Sequence, residues 1–308
     1  MSTSIDPSRP IAVLGATGAQ GGPVAAALLD AGRPVRAIGR SAEKLAPLAA
    51  RGAQTAALDL ADAGALRAAL DGTAAVFAHL PFVPVPDVVR AQSTALAAAL
   101  LAADVPAVFT LSGPPATTPV GVASFDTKAI AKQVLVDSGA RVVGLEPVGY
   151  LGNLSAFFSA PSVVHRDELR YPLPADHRQA WISTEDQAAL AIAALDRPDL
   201  AGRWFRIGEQ HTGPELAAGI GEGLGRTVRY VALDPADFGR SLAPLMGEAV
   251  AQLLADDYAL LGRRPGALDL DAGTTALREE LGITATPLAT WARTQDWVGS
   301  AAVLGAPV

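Results

Sequence analysis

The sequence predicts an α/β protein in which a doubly wound parallel sheet is followed by a smaller C-terminal α/β lobe. Short apolar runs alternate with alanine- and leucine-rich segments over the first 150 residues. This alternation is typical of parallel strands covered by helices on both faces. The first apolar run also leads through a glycine-rich turn, residues 15–21, directly into a helical segment. The alternation stops after Tyr150, which indicates a different architecture for the rest of the chain.

Six strands and the helices between them are expected in the first part of the chain. A right-handed crossover between successive parallel strands produces a doubly wound sheet, whose ligand lies at the carboxyl ends of the strands. The expected strands are residues 11–14, 34–39, 54–60, 74–80, 107–111 and 141–145. Helical segments are expected at residues 24–29, 62–70, 95–103 and 124–138, and another helix is expected to begin within residues 40–45.

The later part of the chain is expected to form a smaller lobe with a substrate cleft. Residues 155–180 contain three prolines and are predicted to be a loop, and residues 181–208 return to the sheet as a helix and a strand. The expected domains are therefore residues 1–154 together with 181–208, and residues 155–180 together with 209–308. Further elements are expected at residues 214–224, 228–231, 235–261 and 287–298.

Composition excludes several classes of function. The 308 residues are 50% hydrophobic with a net charge of −7, which argues against disorder, nucleic-acid binding and binding to anionic membranes. The sequence has no cysteine, so disulfides, thiol nucleophiles and cysteine-ligated metals are excluded. Residues 1–10 do not resemble a secretion signal, and residues 95–103 are too short to span a bilayer. A cytoplasmic protein is therefore expected.

The glycine-rich turn has the context of a dinucleotide-binding site. A strand, a glycine turn and a helix follow one another, and the helix N-terminus offers free N–H groups to phosphates. Gly15 allows a sharp turn, Gly18 allows close approach of a pyrophosphate, and Gly21 allows the helix to pack on the strand. The spacing is G-x-x-G-x-x-G, so a plain strand-to-helix turn is the alternative.

A basic residue follows the second strand where NAD-binding proteins carry an acidic one. Arg40 can form a charge-assisted pair with a 2′-phosphate, and Lys44 lies one helical turn later. An ordinary basic helix start is the alternative. Asp59 is placed beside the adenine, although it also suits a turn cap.

The ends of the fourth and fifth strands supply two more cofactor candidates. His79 ends the fourth strand beside the expected cofactor channel, and Ser112 ends the fifth, facing the nicotinamide ribose. A hydrogen-bonded histidine and a simple turn are the respective alternatives. His165 and His177 match no metal-ligand spacing and are interpreted as part of a solvated loop, so no metal site is expected.

Lys128 and Tyr150 are the candidate catalytic residues. Short-chain dehydrogenases place Tyr-x-x-x-Lys on the helix after the fifth strand, with both side chains on one face. Here Lys128 is present, but Ser124 replaces the tyrosine, and serine is a poor acid near neutral pH. Pro147 is expected to shape the wall against the nicotinamide, and Tyr150 to face either the substrate or the core. A solvated surface lysine is the alternative for Lys128.

Together these residues resemble the NmrA-like group of atypical short-chain dehydrogenases/reductases. The motifs behind the resemblance are GATGAQG at residues 15–21, VRAIGR at 35–40, Lys128, EPVGYLGN at 146–153 and WISTEDQA at 181–188. The resemblance implies a Rossmann domain that prefers NADP(H). It assigns to the cofactor Gly15, Thr17, Gly18, Gln20, Gly21, Arg40 and Lys44. Glu146 departs from the family, in which many members have arginine before the proline.

The first functional hypothesis is an NADPH-dependent oxidoreductase acting on a small, apolar, conjugated acceptor such as a quinone. The missing tyrosine favours it, because a hydroquinone anion can take its proton from water, whereas an alkoxide needs a nearby acid. The resemblance leaves two alternatives: a non-catalytic NADP(H) sensor, or a reductase or isomerase of a specialised metabolite that uses Lys128 or Tyr150. A small-molecule substrate is expected, with no nucleic-acid or membrane partner, and a homodimer is left open.

Overall fold

A computed structural model describes residues 5–81, 83–111, 113–270 and 272–302 of the chain. The chain divides into two compact units. The first unit comprises Met1–Pro147, Thr184–Ile207 and Thr275–Ile283. The second comprises Val148–Ser183, Gly208–Thr274 and Thr284–Val308.

The first unit is built on a seven-stranded sheet in which every neighbouring pair is parallel. Numbered along the chain, its strands are β1 (Ile11–Leu14), β2 (Val35–Gly39), β3 (Gln54–Ala57), β4 (Ala75–His79), β5 (Ala107–Thr110), β6 (Val142–Pro147) and β10 (Trp204–Ile207). The strand order is β10-β6-β5-β4-β1-β2-β3. The order reverses between β1 and β4, and ligands of such sheets bind at this point, beyond the carboxyl ends of the strands. The predicted doubly wound α/β fold is confirmed.

Helices cover both faces of this sheet. Helices α3, α4 and α5 pack side by side, while α1 packs against α7 and α11 packs against α7. Right-handed crossovers place the two groups on opposite faces. Their bounds are α1 (Gly21–Asp30), α2 (Ala42–Ala50), α3 (Ala63–Leu70), α4 (Pro86–Ala103), α5 (Ala123–Asp137), α7 (Thr184–Leu195) and α11 (Ala276–Leu281), with a 3₁₀ turn at Pro198–Leu200. The apolar strands are buried because both faces are covered; the residues of β1 are at most 1% exposed.

The last strand of the sheet joins its edge through a tryptophan that packs on a glycine. Trp204 of β10 is the register partner of Gly144 of β6. A Cβ atom built on Gly144 would lie 2.0 Å from the Trp204 ring, so no larger residue fits beneath the indole. The same ring makes an edge contact with Phe109 of β5, with 6.2 Å between the ring centroids. The distant segment 204–207 is thereby fixed to the sheet edge.

The second unit contains two small sheets and a group of helices. One sheet has the order β11-β9-β7, and the other pairs β8 with β12 in parallel. Its strands are β7 (Gly149–Tyr150), β8 (Glu168–Tyr171), β9 (Gln179–Ile182), β11 (Glu209–His211) and β12 (Arg229–Ala232). Its helices are α6 (Ala160–Arg166), α8 (Gly213–Leu224), α9 (Pro235–Met246), α10 (Glu248–Arg263), α12 (Leu288–Thr294) and α13 (Trp297–Ala302), with 3₁₀ turns at Leu151–Asn153 and Gly266–Leu268.

One element prediction for this later region is wrong, and two helical stretches are divided. The expected loop at residues 155–180 contains α6, β8 and the first half of β9; Pro161 lies in the first turn of α6, where its missing N–H breaks no helical bond. The helical stretch expected at residues 235–261 is helical and consists of two helices, because Gly247 has a positive φ of 81° and ends α9. The helical segment at residues 287–298 is likewise divided between α12 and α13. Among the described helices, none combines the length and apolarity needed to cross a bilayer.

We predict that Gly144→Ala destabilises the first unit. The added Cβ would overlap the Trp204 ring, and overpacking of this kind typically costs about 1–3 kcal/mol. Urea unfolding followed by tryptophan fluorescence measures the cost. Gly152→Ala is the matched control, because a Cβ at that position would have no atom within 4 Å. Equal stability of the two variants would contradict the packing account.

Candidate functional site

The glycine turn holds the start of α1 close against the end of β1. Gly15 has a positive φ of 69°, which favours glycine. Gly21 is the first residue of α1, and a Cβ on it would lie 2.4 Å from the carbonyl oxygen of Gly15. A Cβ on Gly18 would lie 3.2 Å from the same oxygen. The sequence therefore needs glycine at positions 15 and 21 for the turn itself, before any ligand is considered.

The amino end of α1 suits an anion. Its N-cap residue, Gln20, makes no side-chain capping hydrogen bond, so the end of the helix is not closed by its own side chain. Thr17 and Gly18 are exposed at the top of the turn. Because glycine is required at positions 15 and 21 and the turn leads to a helix end without a side-chain cap, its residues fit the pyrophosphate of a dinucleotide.

Two unpaired cations lie beside this turn, after β2. Arg40 and Lys44 are both exposed, and within the described ranges no carboxylate forms an ion pair with either side chain. Ser41 caps α2 by accepting a hydrogen bond from the backbone N–H of Lys44 at 3.3 Å. The start of α2 thus presents two positive charges without a protein counterion. A phosphate monoester is the group that this arrangement matches.

Asp59 has a structural hydrogen bond that the sequence already suggested. Its carboxylate accepts from the backbone N–H of Ala61 at 2.9 Å, which is an Asx turn. The side chain remains exposed. A turn-capping role is therefore present, and a contact with the adenine stays a prediction.

His79 is held in its neutral form at the end of β4. Its Nδ1 lies 3.4 Å from the carbonyl oxygen of Thr110, and a carbonyl can only accept, so Nδ1 is the protonated nitrogen. Burial lowers the pKa of His79 to about 4. At neutral pH the imidazole consequently carries no charge and is not a proton donor of useful strength. Ser112, the other candidate at these strand ends, lies outside the described residues.

Lys128 and His79 line the same small cavity, at the carboxyl ends of β4 and β5. The cavity has a volume of about 40 Å³ and largely apolar walls that include Leu80, Val89 and Phe109. The Lys128 ammonium lies 4.7 Å from the centroid of the Phe125 ring, one turn earlier on α5. A cation over an aromatic face gains electrostatic stabilisation. The structure therefore brings these two predicted residues together.

The position that carries tyrosine in short-chain dehydrogenases is occupied by a buried serine in this chain. Ser124 is 0% exposed, four residues before Lys128 on α5. Its hydroxyl is both too weak an acid and too deeply buried to serve as the proton donor. Any proton donor for a reaction near Lys128 must therefore be another group.

A buried charge cluster beside Pro147 was missed by the sequence analysis. Glu146, 5% exposed, lies 2.7 Å from the Lys132 ammonium and 3.7 Å from the Arg206 guanidinium. Arg206 and Glu146 are register partners on β10 and β6. Pro147 itself is the last residue of β6. The acid before this proline therefore forms an internal ion pair, and no short-range motif could have indicated partners that are 14 and 60 residues away.

Tyr150 belongs to the second unit, unlike every other candidate residue. It ends the two-residue strand β7, opposite Ile182 of β9, and is half-buried. Its predicted role as an acid stays a prediction. The interpretation of His177 as part of a solvated loop is wrong: His177 is 4% exposed and its Nε2 lies 3.1 Å from the Gln179 side-chain oxygen. In the described part of the chain no three potential ligands are grouped around a metal position.

Comparison with known proteins places this architecture in a family. The model of the NmrA-like family matches residues 7–287, which is most of the chain. The chain belongs to the NmrA-like family.

The NmrA-like chain is similar to reductases of known activity. It is 32% identical over 259 residues to an NAD(P)H azoreductase of Xenophilus azovorans, covering 81% of this chain and 86% of the relative. It is 33% identical over 224 residues to the (4-alkanoyl-5-oxo-2,5-dihydrofuran-3-yl)methyl phosphate reductase of Streptomyces griseus, covering 71% and 76%. The structure of an NADPH-dependent quinone oxidoreductase from Escherichia coli matches it with a TM-score of 0.72 at 27% identity, covering 92% of this chain and 98% of that one.

We predict that Arg40→Ala removes most of the preference for NADPH over NADH. Loss of a charge-assisted pair with the 2′-phosphate costs about 1.5–3 kcal/mol, or roughly 10- to 100-fold in affinity. NADH binding should be unchanged, and Lys44→Ala should have a smaller effect. Calorimetry with both cofactors measures this. Arg51→Ala, at the other end of α2 and paired with Asp30, is the control. Equal affinity of the wild-type protein for NADPH and NADH would contradict the assignment.

We predict that His79 makes the stability of the protein depend on pH between about 6.5 and 4. The folded-state pKa lies below the usual value of 6.5, so the unfolded chain binds more protons in this range and stability falls as the pH drops. The loss between pH 7 and pH 5 should be about 2 kcal/mol. His79→Leu should abolish this loss of unfolding free energy, which is measured by urea titrations at pH 7 and pH 5. His165→Leu, at an exposed position, should retain it.

Proposed function

We propose that this chain is an NADPH-dependent oxidoreductase that delivers hydride to a small, apolar, conjugated acceptor such as a quinone. The oxidoreductase class and the nicotinamide cofactor are those of its characterised relatives. The names of these relatives specify an azo group, a quinone and an unsaturated lactone as the reducible group. Each of these groups is a conjugated system. Their variety supports a class of conjugated acceptors for this chain and does not single out one compound.

In this proposal, different residues of the first unit bind different parts of the cofactor. Gly15, Gly18, Gly21 and the start of α1 hold the pyrophosphate, with Thr17 and Gln20 in the same turn. Arg40 and Lys44 hold the 2′-phosphate. Asp59, His79, Ser112 and Pro147 complete the set of expected contacts. When bound, the dihydronicotinamide supplies a hydride, that is, two electrons and a hydrogen nucleus.

The absence of a strong acid around Lys128 is the observation that favours a conjugated acceptor. In the described part of the first unit, the tyrosine position is a buried serine, and His79 is neutral with a pKa of about 4. Hydride transfer to an isolated carbonyl produces a strongly basic alkoxide, which requires an acid close by. A quinone instead becomes a hydroquinone anion that is stable enough to take a proton from water.

Lys128 acts by charge and position in this proposal. Its ammonium is a fixed positive charge on a cavity wall at the carboxyl ends of β4 and β5, where the fold places its ligands. Such a charge stabilises the anion that develops on the acceptor. Packing against Phe125 restricts the Lys128 side chain, so the side chain loses less conformational entropy when the ligand binds.

Two alternatives use the same cofactor residues. A non-catalytic NADP(H) sensor would bind the cofactor equally firmly but transfer no hydride. A reductase or isomerase of a specialised metabolite would use Lys128 or Tyr150 as an acid or base. The small-molecule substrate and the homodimer remain expectations from the sequence.

We predict that Lys128→Ala lowers turnover by roughly tenfold to a thousandfold, the range for losing one positioning or electrostatic group. The affinity for NADPH should change much less, because the glycine turn and Arg40 supply most of the binding. Single-turnover NADPH oxidation, followed by its near-ultraviolet absorbance, measures the effect. Lys128→Arg keeps the charge and should recover part of the rate.

The same measurement separates the alternatives. If Tyr150 donates a proton, Tyr150→Phe should slow reduction of an acceptor that forms an alkoxide and hardly affect a quinone. Firm NADPH binding without hydride transfer to any quinone, enone or azo compound would favour the sensor. Unchanged turnover in Lys128→Ala would remove Lys128 from the mechanism but leave the activity itself in place.

A further inference from the structure

A loop joins two walls of the cavity that contains Lys128. The end of β5 supplies one wall, with Phe109, Thr110 and Leu111, and α5 supplies another, with Lys128 among its residues. The described part of this connection is residues 113–122, which we name the β5–α5 loop. The cavity has a volume of only about 40 Å³, so a small change in the spacing of its walls alters what it can hold.

The β5–α5 loop has few hydrogen-bond donors with which to attach itself. Pro114, Pro115 and Pro119 restrict its backbone but have no N–H group. Three of the other N–H groups, those of residues 116, 120 and 121, donate to the first turn of α5. The position of the loop therefore depends on two residues of that turn, Phe125 and Asp126.

Asp126 binds the end of the loop with both of its carboxylate oxygens. Oδ1 accepts a hydrogen bond from the backbone N–H of Val120 at 2.9 Å, and Oδ2 accepts one from Gly121 at 3.0 Å. Hydrogen bonds to an ionised acceptor are stronger than those between neutral groups. A side-chain amide offers one oxygen and an NH₂ group, so asparagine could accept only one of these two bonds.

Phe125 links the loop to Lys128. The Phe125 carbonyl oxygen accepts a hydrogen bond from the N–H of Ala116 at 3.5 Å, and its own N–H donates to the carbonyl of Val122 at 3.0 Å. Phe125 is 2% exposed, and the centroid of its ring lies 4.7 Å from the Lys128 ammonium. The first turn of α5 thus connects the loop, the aromatic ring and the ammonium group by hydrogen bonds and packing.

We infer that Asp126 is a positioning residue that holds the Lys128 ammonium on the cavity wall, acting through the β5–α5 loop and the Phe125 ring. Its effect on turnover rests on the proposed function, whereas its effect on the position of Lys128 does not. The negative charge of Asp126 by itself opposes an anion near Lys128. Removing only that charge would raise turnover, so a fall in turnover indicates a change of position.

The position of Lys128 is measured in the cofactor-free protein by NMR of ¹³C-labelled lysine. An aromatic ring shifts protons above its face upfield, so the ε-CH₂ signal of Lys128 should lie upfield of that of the exposed Lys44. In Asp126→Asn, the Lys128 signal should move toward that of Lys44. The Lys132 ammonium lies 5.1 Å from the centroid of the Trp204 ring, so its signal is an internal reference that should stay in place.

Turnover provides the second measurement. Asp126→Asn should slow single-turnover NADPH oxidation about tenfold, because misplacing a group in a reacting site has effects of this size. The affinity for NADPH should change by no more than about twofold. In the Lys128→Ala background, Asp126→Asn should have almost no further effect, since a residue that acts through Lys128 has nothing left to position. Asp126→Glu retains both oxygens and should restore part of the rate and of the Lys128 shift.

Asp62→Ala is the matched control. Asp62 also holds a backbone N–H with its carboxylate, because it accepts from Ala65 at 2.9 Å at the start of α3 in the same unit. Its loss should leave the Lys128 signal and the turnover unchanged. Thermal melting confirms that each variant is folded, and Asp126→Ser, which keeps a single acceptor, replaces Asp126→Asn if the latter unfolds.

The two measurements separate this inference from the proposed function. A Lys128 signal that does not move in Asp126→Asn overturns the inference, whether or not the protein transfers hydride. Fully additive losses of turnover in the Asp126→Asn and Lys128→Ala double variant also overturn it, because Asp126 would then act independently of Lys128. If the wild-type protein transfers no hydride but the Lys128 signal moves as expected, the inference on position is supported and the proposed function alone fails.

Discussion

The close contact between the end of β1 and the start of α1 is the constraint on which the candidate cofactor site depends. A Cβ on Gly21 would overlap the Gly15 carbonyl, so the helix can begin at this point only because glycine occupies both positions. The same turn is fixed to the neighbouring strand, since the N–H of Ala16 donates to the carbonyl of Ile38 at 3.1 Å. This bond ties the turn to β2, and Arg40 follows β2 directly. One short stretch of backbone therefore sets the positions of both the helix end and the nearest cation.

Arg40 and Lys44 differ from several other cations of the first unit in having no carboxylate partner in the described ranges. Lys132 is paired with Glu146, Arg33 with Asp196, and Arg51 with Asp30. Arg40 and Lys44 have no such partner in the described ranges, although the chain as a whole has a net charge of −7. Both residues follow the strand to which the glycine turn is hydrogen-bonded, so we expect an anionic group of a ligand at the turn to pair with them. The 2′-phosphate of NADP(H) is the anionic group that the proposed function assigns to them.

Proton supply distinguishes this protein from the usual short-chain dehydrogenase pattern. In the described part of the first unit, two side chains near Lys128 are weak proton donors at neutral pH: burial lowers the pKa of His79 to about 4, and Ser124 is a fully buried hydroxyl. Such groups donate hydrogen bonds or pack, and they do not readily release protons. Under the proposed function, this favours chemistry that needs little acid assistance, such as the reduction of azo compounds, quinones and unsaturated lactones for which the similar reductases are named.

The sequence by itself determined the doubly wound sheet, the glycine turn and the two cations after β2, because each depends on residues close together in the chain. The predicted strand ends differ from those observed by at most three residues; β3, for example, ends at Ala57 instead of residue 60. Only the tertiary structure decided the rest. The Lys132–Glu146–Arg206 cluster, the pairing of β8 with β12 and the ring contact between Tyr171 and Tyr258 all join residues that are far apart in sequence. Contacts of this kind are selected by packing and register, which local periodicity does not contain.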